Sequence, residues 1–104
     1  MIELPTWGGK STFSYEGSVQ AGTRISYGSS GWTTYVSADH YRKLLNHFRG
    51  RRVPCGTPRT NVPRGSLGEW LMENVTKTAI ASYVGAILVH EGYAVKQGSC
   101  IRFR

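Results

Sequence analysis

Acidic side chains are scarce in this chain of 104 residues. Aspartate and glutamate number six together, and Asp39 is the only aspartate. Hydrolytic nucleases hold their metal ions with clustered carboxylates, and the glutamates of this chain show no paired spacing. The glycines are scattered among turns and form no phosphate-binding motif. We therefore predict a protein that is not an enzyme.

Cysteine is also scarce. Cys55 and Cys100 are too few for a disulfide framework and cannot alone supply a structural zinc site. No CxxC, HxxxH or HExxH spacing occurs among the two cysteines and three histidines. We expect no metal, no cofactor and two free thiols, because a disulfide between these cysteines is disfavoured in a reducing cytoplasm.

Long hydrophobic runs are missing as well. The longest uncharged, apolar-leaning run covers residues 78–89, which is far shorter than the ~20 residues that a membrane span requires. The first residues, Met-Ile-Glu-Leu-Pro-Thr-Trp, lack the basic and apolar segments of a signal peptide. The sequence therefore predicts a cytoplasmic protein without a membrane partner.

Positive charge, in contrast, is abundant and localised. Thirteen lysines and arginines give a net charge of +7, and the pI is near 9.9. A basic domain of this kind has the electrostatic character of a nucleic-acid binder. Residues 37–65 contain seven of the bases and a single acid. We predict phosphate contacts from five arginines of this segment, the alternative being a solvated basic loop that confers solubility. The five are Arg49, Arg51, Arg52, Arg59 and Arg64.

The first third of the chain has the pattern of β-structure. Residues 12–16, 23–27 and 32–36 are rich in aromatic and β-branched side chains. Short turn-forming segments separate them, including the glycine- and serine-rich loop at 28–31. The pattern predicts a three-stranded antiparallel meander within residues 1–36.

A helix follows, and then a loop. Ser37 is a good N-cap, Gly50 a good terminator, and the apolar residues between them recur at helical spacing. These apolar residues are Tyr41, Leu44, Leu45 and Phe48. Residues 51–65 contain three prolines and two glycines, so we predict a long basic loop, which in a compact domain is often functional.

Two further helices and a hairpin are predicted for residues 66–104. Ser66 and Glu69 form a capping box that begins a helix. Leu67, Trp70, Leu71 and Val75 are expected to point inward from this helix. Thr76 is a candidate cap for the third helix, whose apolar stripe is Ile80, Val84, Ile87 and Leu88. Two short strands, joined by a turn at Gln97-Gly98, close what we predict to be a single α+β domain spanning residues 1–104.

The stretch SLGEWLMENVTKTAIASYVGAILVHEGYAVKQGSCIRF, residues 66–103, resembles the winged helix-turn-helix family in pattern and element order. In that family a short helix, a tight turn and a recognition helix precede a two-stranded wing. Residues 76–80 match the start of the recognition helix, and 91–95 match its exit into the wing. The resemblance implies duplex DNA as the partner. The residues it implies are Lys77, Thr78, Ala81 and Ser82 at the groove, and Lys96 and Gln97 at the wing tip.

The outward face of the third helix favours a second hypothesis. Thr78, Ser82, Gly85 and Val89 are small and neutral, whereas a major-groove reader usually presents Arg, Lys, Asn or Gln. Such a face permits the close approach of another protein surface. The alternative is therefore a protein-interaction module, an adaptor or inhibitor of a larger complex or a homodimer, that uses this face.

The aromatic residues of the predicted strands also admit two interpretations. They either form ordinary sheet core and cross-strand pairs or stack on single-stranded bases, and strand aromatics more commonly belong to the core. The residues concerned are Trp7, Phe13, Tyr15, Tyr27, Trp32 and Tyr35.

Overall fold

A computed structural model of the chain describes residues 1–28, 31–58 and 60–104. These residues form a mixed α+β fold in which an antiparallel sheet precedes three helices and a smaller sheet. The strands of the first sheet lie in chain order. They are β1 (Ile2–Pro5), β2 (Thr12–Ser18), β3 (Gly22–Tyr27) and β4 (Trp32–Ser37).

The first sheet has four strands where the sequence predicted three. The additional strand, β1, lies at the edge and places Leu4 opposite Phe13 of β2. Three of its four residues are exposed, so no hydrophobic alternation marks it in the sequence. Pro5 is tolerated because an edge strand has no neighbour on one side.

Helix α1 (Ala38–Phe48) confirms the predicted helix. The Ser37 hydroxyl accepts a hydrogen bond from the backbone N–H of His40 at 3.0 Å, which caps the first turn. Arg49 is the C-cap, and Gly50 follows with a φ of 70°, the left-handed conformation that commonly ends helices. The apolar stripe faces the interior, and Tyr41, Leu44 and Phe48 are buried.

Helix α2 (Leu67–Asn74) begins at the predicted cap. The Ser66 hydroxyl accepts from the backbone N–H of Glu69 at 3.1 Å. The Glu69 carboxylate in turn accepts from the N–H of Gly65 at 2.9 Å, one residue before the N–H that a capping box uses. Trp70, which the sequence placed in the core, is only partly buried.

Helix α3 (Ala81–His90) begins five residues later than Thr76, the predicted cap. Ile80 precedes it without a side-chain cap, and the Thr76 hydroxyl instead accepts from the N–H of Thr78 at 3.3 Å. The predicted core stripe is confirmed, because its four residues are all at most 1% exposed. The connector of residues 75–80 is thus longer than the resemblance implied.

The second sheet contains a strand inside the predicted loop. Strand β5 (Arg52–Pro54) pairs with β7 (Cys100–Phe103), which also pairs with β6 (Ala94–Gln97). Val53 lies opposite Ile101, and both are buried. The turn between β6 and β7 is at residues 98–99, one position later than predicted.

One hydrophobic core joins the two sheets and the helices. Its fully buried members include Tyr15, Ile25, Leu71 and Ile87, and a hydrogen bond of 2.8 Å between the Thr23 and Tyr41 hydroxyls ties β3 to α1. Among the described residues, no helix is long and apolar enough to cross a membrane.

Candidate nucleic-acid interface

The outer side of the second sheet presents a cluster of arginines. Residues alternate between the two sides of a strand, and in β7 the residues Ile101 and Phe103 are buried while Arg102 is exposed. Arg52 of β5 lies directly opposite Arg102. Arg104, two residues after Arg102 and just beyond the end of β7, is also exposed. We call Arg52, Arg102 and Arg104 the arginine face.

This arrangement opposes like charges. Side chains at directly opposed positions of an antiparallel pair have Cβ atoms ~4.5–5.5 Å apart, and like charges placed there destabilise the pair. The only ion pairs among the described residues join Asp39 to Arg42 and Lys43 on α1. The hydrogen bond from Lys43 holds the pKa of the Asp39 carboxyl below its usual value. Within the described ranges, no arginine of the arginine face forms an ion pair with a carboxylate.

Arg49 and Arg51 lie in the short segment between α1 and β5. Both are exposed, and the carbonyl of Arg51 accepts from the N–H of Phe103 at 2.9 Å, which anchors this segment to β7. The Arg51 guanidinium lies 5.9 Å from the centre of the Phe48 ring. An open groove of about 390 Å³ runs between the segment and the sheet. It is lined by Gly50, Val95, Gln97, Arg102, Phe103 and Arg104.

The other predicted phosphate contacts are placed separately. Arg64 is exposed in the loop that precedes α2, and no contact among the described residues joins it to the arginine face. Arg59 lies outside the residues that the structure describes. Sequence reasoning missed Arg102 and Arg104, because only the pairing of β5 with β7 brings them beside Arg52.

Lys96 and Gln97, the predicted wing-tip pair, lie on opposite sides of β6. Gln97 lines the groove beside Arg102. Lys96 points the other way, where its ammonium donates to the Trp7 carbonyl and lies 5.0 Å from the centre of the indole ring. The turn at residues 98–99 follows both of them, so the two residues form the end of β6 and not the turn itself.

The predicted groove face of α3 is largely covered by the chain's own N-terminal segment. Ala81 is only 1% exposed, so it presents no surface to a partner. Ser82 is half-buried, and its carbonyl accepts from the N–H of Trp7 at 3.0 Å. A Cβ atom on Gly85 would lie 2.9 Å from the Trp7 ring. Trp7 therefore occupies the space beside Ser82 and Gly85, whereas Thr78 of the same predicted face remains exposed.

Glu91 fastens the first sheet to the end of α3. Its carboxylate accepts from the Tyr15 hydroxyl at 2.6 Å and from the backbone N–H of Val19 at 2.9 Å. Tyr15 belongs to β2, and Val19 lies in the turn that follows β2. Because the Glu91 carboxylate accepts from both, it holds the first sheet against the end of α3.

Lys77 and Thr78 are exposed, but they lie in the α2–α3 connector and not on a helix. Together with the first sheet they line a second groove, of about 1140 Å³. Of the four predicted recognition residues, Lys77 and Thr78 are exposed, Ser82 is partly buried and Ala81 is buried.

The Cys55 thiol is poorly suited to act as a reactive centre. Cys55 is buried and its thiol lies 3.6 Å from the carbonyl of Ala81, while burial raises the thiol pKa to about 12. A thiol protonated at neutral pH is a poor nucleophile and metal ligand. Both cysteines are free, and no cluster of metal-ligating side chains occurs in the described part of the chain.

No family model, no curated protein and no solved structure matches this chain. Its own residues are therefore the basis for assigning a function.

Proposed function

We propose that this protein binds duplex DNA through the phosphate backbone, with the arginine face as the contact surface and with Arg49 and Arg51, which precede it in the sequence, as additional cations. The observation that supports this proposal is the cross-strand pairing of Arg52 with Arg102, neither of which takes part in an ion pair among the described residues. A phosphate backbone supplies the missing negative charge, and guanidinium groups bind phosphates in bidentate geometry.

The resemblance of residues 66–103 to the winged helix-turn-helix family is in keeping with this proposal, and the element order from residue 38 onward is compatible with it. A helix, a strand, two helices and a hairpin follow one another, and the first strand joins the hairpin to make a three-stranded sheet. In this proposal the sheet side of the unit contacts DNA. The N-terminal half of α3 does not, because Trp7 lies against it.

Phosphate contacts carry little sequence information, so the proposed binding is mainly non-specific. Gln97 is the one uncharged polar side chain beside Arg102 in the groove, and an amide of this kind forms bidentate bonds to adenine. Gln97 is therefore the residue of this surface best suited to contact a base.

The salt dependence of duplex affinity tests the proposal. Each phosphate contact contributes ~0.9 to the slope of log affinity against log salt. Replacing Arg102→Gln and Arg104→Gln together should flatten the slope by roughly 2, measured by fluorescence anisotropy with a short labelled duplex between roughly 50 and 200 mM salt.

The matched control replaces Arg42→Gln and Lys43→Gln. This variant removes the same formal charge, but from cations that already pair with Asp39 on α1. It should change the slope by much less than the arginine-face variant does. Absence of duplex binding at low salt, or equal slopes for the two variants, would contradict the proposal.

A further inference from the structure

The β3–β4 hairpin carries aromatic side chains beyond the edge of the core. Tyr27 and Trp32 are directly opposed at the end of the β3–β4 ladder. They lie on the same side of the sheet as the buried Ile25 and Val36. Trp32 is nevertheless 65% exposed, because no part of the described chain covers it at this end.

A groove separates this hairpin from the α2–α3 connector. Its volume is about 1140 Å³. Tyr27 stacks on Tyr83 of α3, with ring centres 4.6 Å apart and planes inclined by 20°, so one wall is aromatic and fixed. Lys77 and Thr78 belong to the connector on the other side. The lining residues are Ser11, Thr12, Tyr27, Gly28, Trp32, Lys77, Thr78, Ala79 and Tyr83.

The chemistry of this groove matches a nucleotide whose base is unpaired. Flat aromatic rings stack on any nucleobase, hydroxyls from Ser11, Thr12 and Thr78 bond to base edges or sugar, and the Lys77 ammonium attracts phosphate. Among the described residues, none that lines the groove carries a carboxylate, and no ion pair involves Lys77. The net charge of +7 attracts a polyanion and not a basic peptide.

We infer that the groove between the β3–β4 hairpin and the α2–α3 connector binds an unpaired nucleotide of a nucleic-acid strand, with Trp32 stacking on the base and Lys77 contacting its phosphate. This inference rests on the proposed nucleic-acid binding and specifies the form of its substrate. It predicts that single-stranded or locally opened DNA makes a contact that a closed duplex does not.

Affinities for labelled oligothymidylate and for a duplex of equal length test the inference. Trp32→Ala should weaken single-strand binding roughly 5- to 100-fold, the range for loss of one base–aromatic stack. Duplex binding should stay within about twofold, since closed base pairs offer no stacking face. Trp32→Phe should restore most of the lost affinity, because it retains a ring.

Tyr35→Ala is the matched control. Tyr35 is 60% exposed on the same strand but three residues from Trp32, so it lies on the other side of the sheet. Its removal should leave both affinities unchanged. Oligothymidylate should also quench the tryptophan emission of the native protein, and Trp32→Ala should abolish that quenching.

The outcomes separate the two proposals. Duplex binding with a normal salt slope, but with equal single-strand affinities for native protein and Trp32→Ala, overturns the nucleotide site alone. Failure to bind either nucleic acid overturns both proposals. An equal loss from Trp32→Ala and Tyr35→Ala also overturns the nucleotide site, because it shows a general effect of the sheet.

Discussion

The ionisation of the Tyr15 hydroxyl depends on its burial and on a hydrogen bond to a residue that is distant in the sequence. It is 1% exposed, and its hydroxyl donates to Glu91, which is 76 residues away. Burial is the main reason why the pKa of Tyr15 lies above its ordinary value of 10.0, and the hydrogen bond to Glu91 acts in the same direction. Burial likewise raises the pKa of Tyr41.

These raised pKa values predict an alkaline loss of stability. The unfolded chain releases the tyrosine protons near pH 10, whereas the folded protein retains them, so the folded state is favoured below that pH and loses stability above it. The buried Cys55 thiol also lowers the stability at alkaline pH. Its contribution begins near pH 9, where the unfolded chain releases the thiol proton and the folded protein retains it. The free energy of unfolding, measured by urea denaturation, should therefore be level near neutrality and fall steadily above pH 9 to 10.

Tyr15→Phe tests this interpretation. The variant lacks the hydrogen bond to Glu91 and should be less stable than the native protein at pH 7, but its stability should decline less above pH 10. Tyr35→Phe, which removes an exposed hydroxyl, is the control and should keep the native profile. Parallel profiles for the native protein and Tyr15→Phe would show that Tyr15 does not contribute to the alkaline transition.

Helix α2 shows that residues of one predicted stripe differ in burial. Leu71 is 0% exposed, whereas Trp70 is partly buried. The indole lies at the surface, with ring centres 6.4 Å from His47 and 6.5 Å from Phe48 of α1. Trp70 therefore packs against the edge of the core and not, as helical spacing predicted, within it.

We predict that Leu71→Ala is more harmful than Trp70→Ala. Loss of a fully buried leucine side chain costs about 2–5 kcal/mol, and a half-buried aromatic that rests on a neighbouring helix should cost about 1–2 kcal/mol. Urea denaturation of the two variants measures the order directly. A larger cost for Trp70→Ala would show that its indole belongs to the core.

The helices were predictable because their signals are local. Ser37 and Ser66 cap where expected, and the apolar residues of α1 and α3 recur every three or four positions. Strand β5 was not predictable in this way. It has three residues, contains Pro54, and is defined by pairing with β7 near the other end of the chain. Long-range pairing also created the arginine face, so the sequence identified Arg52 but neither Arg102 nor Arg104.

The small residues of α3 were expected to permit close approach, and at Gly85 the group that approaches is Trp7 of the same chain. Gly85 has no side chain, and Trp7 fills the space from within the same chain. A pattern of small residues on a helix specifies that something packs closely, and it does not specify what. The N-terminal sheet is therefore an integral part of the fold, because it supplies the cover for α3 and, through Tyr15, the partner of Glu91.

This arrangement predicts that the two sheets unfold together and that Gly85→Ala weakens both. On an exposed helix the change would stabilise by up to ~1 kcal/mol. Here the new methyl group would lie 2.9 Å from the Trp7 ring and 3.0 Å from the Cys55 sulfur, so we expect a loss of about 1–3 kcal/mol. Far-ultraviolet circular dichroism and tryptophan fluorescence should give one coincident transition in the native protein and in the variant.

Gly8→Ala is the matched control. Gly8 is next to Trp7 in the sequence, but a Cβ atom added there would have nothing within 4 Å. Its stability should stay within about 0.5 kcal/mol of the native value. Stabilisation by Gly85→Ala would mean that α3 is uncovered in solution and free to enter a DNA groove. Separate transitions for the two probes would mean that the N-terminal sheet is an independent unit. Coincident transitions with a destabilised Gly85→Ala variant would instead leave the arginine face and the aromatic groove as the surfaces available to a nucleic acid.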